Sequence, residues 1–562
     1  MSLSHGKRRR RVADALAESM RLQGIDRLFC VPGESYLPLL DSLHNAASTS
    51  VVTCRHEGGA GLAAVADAKL TGRLGAVAVS RGPGVSNVTI AIHVAQQDSV
   101  PLLVIIGQVE AAHLGRGAFQ EIDYARMFGG IAKWVGQVDV AERAPEVLAR
   151  AAAIACAGTP GPCLVILPED VLSQPCIAPA LPRLATPASA APLDALTAAT
   201  QALRVARRPL IIVGGLDRTH SFRQALMRFA EHWKVPVVVT NKNQDLFPND
   251  HELWLGHVGY FPNAELAKAM NAADLLIAVN TELGDVDTQN YRLPQPGIGR
   301  VPLVHVHPDP DVAGRLFAAT VSVAAPGATF LEHMAISHGG ALKRAPWLRT
   351  VAAVRHRMSA SPVTPSAFKS TVEAIDEAAG SDAVITLDAG NFSLWVHRLI
   401  RFGGGRELVA AACGAMGMAV PGALAAGLRH PGRPVFAFVG DGGFLMSGNE
   451  LATAMAAGAN IKVVVANNRS YSTIRMYQER SFPGRISATN LVNPDFAAFA
   501  NAFGALGLRV DSPEQAAGVV RQALAHHGPC VIDVSCDVEQ ILPSSTISGI
   551  RRAHAAASGL AA

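Results

Sequence analysis

The chain has 562 residues, of which 49% are hydrophobic and 17% charged, enough apolar material for the cores of three or four domains. Its formal net charge of +4 is small for this length and gives no indication of a polyanionic partner such as nucleic acid. The basic run KRRRR at residues 7–11 could be a nucleic-acid or targeting tag, but such runs are more typical of a solvated N-terminal tail.

Membrane and disulfide features are weak in this sequence. No apolar signal region follows the basic run. Residues 408–428 carry no charge for 21 residues, but their glycines and proline favour a glycine-rich loop leading into a buried helix over a membrane span. The eight cysteines show no CxxC pairing, so neither a zinc site nor a disulfide framework is indicated. We therefore expect a cytoplasmic protein with free thiols and no membrane partner.

Short apolar runs alternate with helical segments from the N-terminus to about residue 170. The pattern predicts helices at residues 12–23 and 60–70 and strands at residues 27–31, 51–54, 75–80 and 102–106. Such alternation is typical of an α/β domain with a mainly parallel sheet. The proline- and alanine-rich stretch at 174–192 indicates a linker.

Two more α/β units follow. Strands are predicted at residues 209–213, 235–239, 275–279 and 303–306, and, after a second linker at 338–362, at residues 383–387, 435–439 and 461–466. The fold class is therefore α/β, with three doubly wound, mainly parallel-sheet domains. The predicted boundaries are 1–173 (with a basic tail at 1–11), 193–335 and 363–540, followed by a C-terminal tail at 541–562 whose residues 551–562 we expect to be mobile.

The segment from residue 435 to residue 470 carries the strongest chemical pattern. An apolar run ends in GDGG, and after an alanine-rich helical stretch at 450–457 a second apolar run ends in Asn467-Asn468. In a βαβ unit the two strands are parallel, so Asp441 and Asn468 should lie at the same sheet edge. One carboxylate and one amide oxygen suit a hard cation such as Mg²⁺. The alternative is two ordinary strand-to-loop turns.

GDG followed after 24 residues by NN resembles the signature of thiamine diphosphate-dependent enzymes. The whole chain resembles the acetolactate synthase branch of that family, whose chains consist of a pyrimidine-binding, a central and a diphosphate-binding domain. The resemblance also implies that the cofactor lies between the first domain of one chain and the third domain of another. We therefore expect a homodimer or a homotetramer.

The run RHEGGA at residues 55–60 contains Glu57, directly after a predicted strand. By itself Glu57 is a carboxylate at a helix start, a favourable position beside the helix dipole. The resemblance implies a contact with N1′ of the cofactor's aminopyrimidine. A carboxyl shielded from water holds its proton more readily and can exchange it with that ring.

Further motifs of the family have counterparts here. The G-x-M-G segment implies that the Gly414 carbonyl binds the 4′-amino group and that Met416 is the wedge that bends the cofactor; a methionine in a glycine-rich turn of the core is the alternative. The resemblance implies diphosphate contacts from the backbone amides of Gly390, Asn391, Phe392, Gly442 and Gly443. It implies Mg²⁺ ligation by Asp441, Asn468 and the carbonyl of Ser470.

Three segments select the acetolactate synthase branch among the relatives. They are RHE at 55–57, GQV at 107–109 and AFQE at 118–121, and together they favour this branch over the simple decarboxylases. The run RGPGVSN at 81–87 also resembles a loop of the family. The resemblance implies that Gly82 and Asn87 border the cofactor and that Phe119 and Gln120 lie near its reactive carbon.

Four positions depart from the family's motifs and make pyruvate and 2-oxobutyrate uncertain as substrates. Glu34 stands for a glycine and is either an acid–base group or solvent-facing, Arg81 stands for a serine, Glu169 stands for a lysine, and Tyr477 stands for a tryptophan near the acceptor. Glu34, Glu169 and Tyr477 are therefore candidate substrate residues.

Binding of FAD in the central domain is not favoured by the sequence. Glu282 occupies the place of an arginine expected beside the flavin's pyrophosphate, and His307 stands where an acidic residue is usual. The pair Gly214-Gly215 could be a remnant of a nucleotide loop, but no GxGxxG follows a strand in this domain.

These features predict decarboxylation of a 2-oxo acid, dependent on thiamine diphosphate and Mg²⁺, with transfer of the acyl unit to an acceptor. The alternative within the enzyme class is a 2-oxo acid decarboxylase, or a lyase, hydrolase or acyltransferase acting on another carbonyl substrate. A second alternative is a protein that binds the cofactor but is not an enzyme. The presence of Glu57, Asp441 and Asn468 argues against this alternative.

Overall fold

The structure is a computed structural model that describes residues 10–44, 46, 48–184, 189–260, 263–293, 301–337, 343–360 and 363–557. It contains three six-stranded sheets in which all paired strands are parallel. The predicted fold class, three α/β domains with parallel sheets, is therefore confirmed. The basic run at 7–11 lies mostly outside the described residues.

The first sheet has the spatial order β2-β1-β3-β4-β6-β5. Its strands are β1 (Arg27–Cys30), β2 (Ser50–Thr53), β3 (Gly75–Val79), β4 (Leu102–Gln108), β5 (Trp134–Gln137) and β6 (Pro162–Pro168). Its helices are α1 (Val12–Leu22), α2 (Leu37–His44), α3 (Glu57–Thr71), α4 (Gly82–Gln97), α5 (Tyr124–Phe128), α6 (Ala144–Cys156) and α7 (Glu169–Ser173). Strands β3, β4 and β6 are buried along their whole length, as expected for strands covered by helices on both faces.

The second sheet has the order β12-β11-β10-β7-β8-β9. Its strands are β7 (Pro209–Val213), β8 (Val237–Val239), β9 (Trp254–His257), β10 (Leu275–Val279), β11 (Leu303–His307) and β12 (Val321–Ala324). Its helices are α8 (Leu193–Val205), α9 (His220–Trp233), α10 (Ala264–Ala272), α11 (Gly327–Ile336) and α12 (Ala345–Ala360). Aliphatic strand residues and the aromatic face of α9 form its core.

The third sheet has the order β14-β13-β15-β16-β18-β17. Its strands are β13 (Val384–Leu387), β14 (Glu407–Ala410), β15 (Val435–Gly440), β16 (Lys462–Asn467), β17 (Leu506–Val510) and β18 (Cys530–Ser535). The accompanying helices are α13 (Ala367–Ala378), α14 (Ser393–Leu399), α15 (Ala419–Arg429), α16 (Asp441–Ser447), α17 (Leu451–Ala456), α18 (Ser472–Ser481), α19 (Phe496–Ala502), α20 (Ala516–Ala525) and α21 (Ile547–Ala557). Adjacent pairing of β15 with β16 brings Asp441 and Asn468 to one sheet edge.

The chain divides into two compact units. The first unit comprises residues up to 187 together with Leu424–Arg429 and Ser447–Ala457, and the second comprises the remainder. Two short segments that follow the second linker in sequence are therefore part of the unit built on the first sheet.

Several local predictions were wrong. The predicted linker at 338–362 contains helix α12, whose Trp347, Val351 and Val354 are buried. The sequence analysis also missed two helix starts, at GDGG and RGPG, where α16 begins at Asp441 and α4 at Gly82. Periodicity did not reveal these starts, since the first residues of a helix carry no repeat of their own.

The prediction of a mobile tail from residue 551 was also wrong for the described residues, because helix α21 extends from Ile547 to Ala557. Ile547 and Ile550 pack against Met476 of α18 and Ile541. Arg551 binds the fully buried carboxylate of Glu479 with N–O distances of 2.6 and 2.8 Å. In the part of the chain that the structure describes, no helix is long and apolar enough to cross a membrane.

The Glu479–Arg551 pair should stabilise the protein in a pH-dependent way. The Arg551 guanidinium lowers the pKa of Glu479, so the pair contributes above the usual glutamate pKa and is lost as pH falls through the lowered, folded-state value. We expect Arg551→Ala to cost about 1–2 kcal/mol at pH 7, because Arg551 itself is half-exposed. Thermal unfolding from pH 7 to pH 3 measures this loss, which should shrink below about pH 4.

The matched control is Arg552→Ala, since Arg552 is an exposed neighbour on the same helix. Equal effects of the two variants at pH 7 would contradict a specific role of Arg551.

Candidate functional site

The first group of candidate residues is built around Glu57, the first residue of α3. The Nδ1 atom of His56 accepts a hydrogen bond from the N–H of Gly58 at 3.0 Å and so caps the helix. The Nδ2 group of Asn87, on α4, donates to Glu57 Oε2 at 2.9 Å. The structure therefore brings together two of the predicted residues, Glu57 and Asn87. Glu57 is half-buried.

Glu450 holds the chain just before Glu57, a role that the sequence analysis missed. Its buried carboxylate accepts hydrogen bonds from the backbone N–H groups of Arg55 at 3.1 Å and His56 at 3.0 Å, and from the Thr453 hydroxyl at 2.5 Å. A Cβ on Gly59 would lie 2.4 Å from Glu450 Oε1, so only glycine fits there. Burial raises the pKa of Glu450, and these hydrogen bonds act against that increase.

The segments that contain Gly82 and Gln120 also meet in the first unit. The N–H of Gly82 donates to the Gln120 carbonyl at 3.1 Å, and a Cβ on Gly82 would lie 2.8 Å from that oxygen. Gln120 has a left-handed φ of +63°, uncommon for a non-glycine residue and frequent near functional sites. The neighbouring Phe119 side chain is 75% exposed. The predicted residues Gly82, Phe119 and Gln120 therefore lie together, with Gly82 buried and Phe119 exposed.

Glu34 and Glu169 meet at the guanidinium of Arg81. The distances are 2.7 Å from Arg81 Nη2 to Glu34 Oε1 and 3.3 Å to Glu169 Oε2. The sequence left two alternatives for Glu34, an acid–base group or a side chain that faces solvent. The Glu34 carboxylate does face solvent, but it also forms an ion pair with Arg81.

The second group of candidate residues lines a cavity of about 350 Å³ in the second unit. The predicted residues that line it are Gly390, Asn391, Phe392, Gly414, Met416, Asp441, Gly442, Gly443, Asn468, Ser470 and Tyr477. All the candidate cofactor, metal and substrate residues of this unit therefore border a single space.

Asp388 fixes the glycine-rich turn on one side of the cavity. Its fully buried carboxylate accepts the N–H groups of Gly417 at 2.8 Å and Ala419 at 2.7 Å. Gly414 and Gly417 have φ values of +81° and +86°, which explains the two glycines that flank Met416. Burial raises the pKa of Asp388.

Asp441 sits in a network of amides at the sheet edge. Its carboxylate accepts the N–H of Gly442 at 2.9 Å and the Nδ2 group of Asn493 at 2.9 Å, and Asn493 also donates to Asn467. Burial raises the pKa of Asp441. The Oδ1 atom of Asn493 and the Oγ atom of Ser470 are buried without a hydrogen-bond partner among the described residues.

The turn after β16 is shaped by Asn468. Its Oδ1 accepts the N–H of Ser470 at 3.1 Å, while Arg469 takes a left-handed φ of +55°. A Cβ on Gly442 would lie 2.4 Å from the Tyr471 ring, so this ring packs directly on the backbone of α16. No cluster of three or more His, Cys, Asp or Glu side chains with metal-binding geometry occurs among the described residues, so a cation here would need amide and carbonyl ligands.

The second sheet contributes one wall of the cavity, which the sequence analysis did not predict. The cavity is lined on this side by Asn241, Lys242, His257 and Tyr260, together with His397 of α14. The rings of His257 and His397 lie 5.3 Å apart, and burial lowers the pKa of both. These imidazoles are therefore neutral hydrogen-bonding groups at pH 7. No local motif marks them, because the contact joins two domains.

The candidate flavin residues of the second sheet have other partners. Glu282 binds Arg315 at 2.7 Å, and burial lowers the pKa of His307 to about 4. A Cβ on Gly214 would lie 2.0 Å from the Asn280 carbonyl oxygen, and one on Gly215 would lie 2.2 Å from Asn243 Oδ1. Close packing therefore accounts for this glycine pair without a nucleotide.

Three family models of thiamine pyrophosphate enzymes match the chain. The N-terminal TPP binding domain matches residues 10–127, the central domain residues 196–334, and the C-terminal TPP binding domain residues 388–534. These matches follow the order of the three sheets.

Curated relatives match over nearly the whole length. The acetolactate synthase of Mycobacterium bovis is 33% identical over 541 residues, which cover 93% of this chain and 87% of that protein. The acetolactate synthase large subunit of Parasynechococcus marenigrum is 33% identical over 540 residues, with the same coverage. That of Lactococcus lactis subsp. lactis is 30% identical over 539 residues, 94% of this chain and 92% of the relative.

The chain therefore belongs to the thiamine diphosphate-dependent enzymes, in the branch of the acetolactate synthase large subunits. The predictions of an enzyme, of thiamine diphosphate as its cofactor and of an acetolactate synthase-like function are confirmed.

The Glu450 contact can be tested by Glu450→Gln. The amide would turn a donor toward the N–H groups of Arg55 and His56, and leaving one of these unpaired costs about 1–3 kcal/mol. We expect a lower unfolding temperature and slower turnover, because the start of α3 shifts. Thermal unfolding and steady-state kinetics with saturating cofactor measure these effects.

The control is Glu373→Gln, since Glu373 is an exposed carboxylate paired with Lys369 on α13. Wild-type stability and turnover in Glu450→Gln would show that this carboxylate does not position Glu57.

Proposed function

We propose that this chain decarboxylates a 2-oxo acid and joins the remaining acyl unit to an acceptor, with thiamine diphosphate and Mg²⁺ bound. The observation that carries the proposal is the presence of two chemically distinct half-sites, the Glu57–Asn87 pair and the cavity containing Asp441 and Asn468. When bound, thiamine diphosphate supplies the electron sink for the electrons released with CO₂.

In the first half-site, Glu57 would exchange a proton with N1′ of the aminopyrimidine. The hydrogen bond from Asn87 orients the Glu57 carboxylate, and Glu450 fixes the backbone before it. Exposed Phe119 and the neighbouring Gln120 would border the reacting atoms and limit access of water. Gly82 permits the close approach of these two segments.

In the second half-site, backbone N–H groups would hold the diphosphate. The side chain of Asn391 is already used, since its Nδ2 donates to the Ile541 carbonyl at 3.0 Å and its Oδ1 accepts the Thr473 hydroxyl at 2.8 Å. Its backbone would therefore make the contact, together with those of Gly390, Phe392, Gly442 and Gly443. Gly414 and Met416 would contact the rest of the cofactor, on the turn that Asp388 fixes.

The donor set near Asp441 fits Mg²⁺. Burial makes an isolated carboxylate unfavourable, and a bound cation would offset that cost. Asn468 and the Ser470 carbonyl would supply neutral oxygens, as hard cations require, and the unpartnered oxygens of Ser470 and Asn493 lie in the same network.

We also propose that the active form is a homodimer or homotetramer in which Glu57 of one chain serves the cavity of another. The resemblance to the family, in which the cofactor lies between the first domain of one chain and the third domain of another, supports this arrangement. Analytical ultracentrifugation tests it, and an active monomer would contradict it.

FAD is not required in this proposal. The Glu282–Arg315 pair and the packing around Gly214 and Gly215 support the absence of a tight flavin site. A purified protein that retains a flavin absorption band through gel filtration after incubation with FAD would contradict it.

The decisive experiment supplies Mg²⁺, thiamine diphosphate and a panel of 2-oxo acids that includes pyruvate, without FAD. CO₂ release and the organic product are followed together. A product that combines two substrate molecules, such as acetolactate, supports transfer to an acceptor. CO₂ with an aldehyde would favour the simple decarboxylase, and no CO₂ from any 2-oxo acid would overturn the proposal. The ion-paired Glu34 and Glu169 are the observation that keeps the decarboxylase as second candidate.

Removal of the Glu57 carboxylate should separate binding from chemistry. We expect Glu57→Gln to retain thiamine diphosphate but to turn over about 10²–10⁴-fold more slowly, because an amide cannot exchange the proton. Steady-state kinetics and calorimetric cofactor titration measure the two effects. Full activity in this variant would remove Glu57 from the mechanism.

Asp441→Ala should abolish Mg²⁺-dependent retention of the cofactor, since it removes the charged ligand of the proposed ion. Titration calorimetry with and without Mg²⁺ measures this, with Asp382→Ala, an exposed aspartate of the same domain, as the matched control. An unchanged affinity for thiamine diphosphate would contradict the metal site.

A further inference from the structure

Three charged side chains form one cluster in the first unit: Glu34, Arg81 and Glu169, called the Arg81 cluster below. The guanidinium of Arg81 is bound by both carboxylates, at 2.7 and 3.3 Å. The Arg81 side chain is only 10% exposed, whereas that of Glu34 is 65% exposed and that of Glu169 is 31% exposed. A ligand that approaches the cluster from solvent therefore meets carboxylate oxygens, with the guanidinium behind them.

The Arg81 cluster lies at the sheet edge that carries Glu57. Its members follow the carboxyl ends of β1, β3 and β6, while Glu57 follows β2. The hydroxyl groups of Ser35 and Ser80, the neighbours of Glu34 and Arg81, are 2.9 Å apart.

Gly84 connects this region to Glu57. A Cβ on Gly84 would lie 3.3 Å from Glu57 Oε1 and 3.6 Å from the Cβ of Ser80. The Glu57 carboxylate therefore lies close to Ser80, the neighbour of Arg81, and the segment of Gln120 meets the same helix start through its bond to Gly82.

The formal charge of the Arg81 cluster is −1, since two carboxylates face one guanidinium. The buried Nε atom of Arg81 has no hydrogen-bond partner among the described residues, and it is not accessible to a ligand anion. An anionic reactant near Glu34 is therefore repelled, while an uncharged carbonyl compound meets no such charge repulsion.

We infer that the Arg81 cluster selects an uncharged aldehyde or ketone, rather than the anion of a second 2-oxo acid, as the acceptor. This inference rests on the function proposed above and names its acceptor class. For a donor RCOCOO⁻ and an acceptor R′CHO, the bond from the donor carbonyl carbon to CO₂ breaks. A new bond joins that carbon to the aldehyde carbon, and the aldehyde oxygen takes up one proton. The products are CO₂ and the hydroxyketone RCOCH(OH)R′.

The first test is a competition in the holoenzyme with Mg²⁺ and thiamine diphosphate. A 2-oxo acid that releases CO₂ is supplied with an equal concentration of propanal, and both coupling products are quantified. We expect the hydroxyketone to predominate, and Glu34→Gln to lower its ratio to the coupled 2-oxo acid product by roughly tenfold, because one like charge is removed. Predominance of the coupled 2-oxo acid product in the wild type, or an unchanged ratio in Glu34→Gln, would overturn the inference.

A binding measurement decides the inference independently of turnover. Lactate and its neutral isostere lactamide are titrated into the holoenzyme by ligand-observed NMR. Glu34→Gln should strengthen lactate binding by roughly tenfold and leave lactamide binding unchanged. The control Glu146→Gln removes the same charge from an exposed side chain on α6 and should change neither.

Equal effects of Glu34→Gln on lactate and lactamide would overturn the acceptor assignment. Absence of CO₂ from every 2-oxo acid would instead overturn the proposed function, and the lactate–lactamide comparison would still decide whether the Arg81 cluster discriminates by charge.

Discussion

The first half-site depends on a buried carboxylate that is held by backbone N–H groups. Glu450 cannot stay ionised inside the protein without partners, and the N–H groups at the start of a helix cannot stay unpaired there. By binding Arg55 and His56, it satisfies both requirements. The position of Glu57, one residue further on, is therefore fixed by the packing of a segment almost four hundred residues away.

In the second unit, too, a buried carboxylate holds backbone N–H groups in place. Asp388, at the end of β13, accepts two N–H groups of the turn that presents Met416 to the cavity. In each case an acidic side chain organises backbone that would otherwise be free to adopt many conformations, which lowers the entropic cost of ordering a ligand-binding loop. Rigid, pre-formed cradles of this kind suit an enzyme in which the cofactor supplies the reactive group and the protein supplies its orientation.

The two half-sites differ in the charges that they present to a ligand. In the second unit, Asp441 lies among amides and unpartnered oxygens, an environment that favours a cation and, with it, a diphosphate. In the first unit, the Arg81 cluster presents excess negative charge beside Glu57. We propose that the first arrangement holds the metal ion and that the second selects the acceptor. In these proposals cofactor binding and acceptor choice depend on different residues.

The sequence by itself determined the alternation of strands and helices, the parallel sheets and the positions of Asp441 and Asn468 at strand ends. These features are local, since periodicity and strand-end motifs are read within a few residues. Tertiary structure alone decided the contact of Glu450 with the start of α3, the ion pairs of Arg81 and the wall that His257 adds to the cavity. It also turned the expected linker and tail into helices α12 and α21, because their few apolar residues are ordered only by the surfaces they pack against. Contacts between segments that are distant in sequence could not be predicted, because neither segment's own residue pattern indicates its partner.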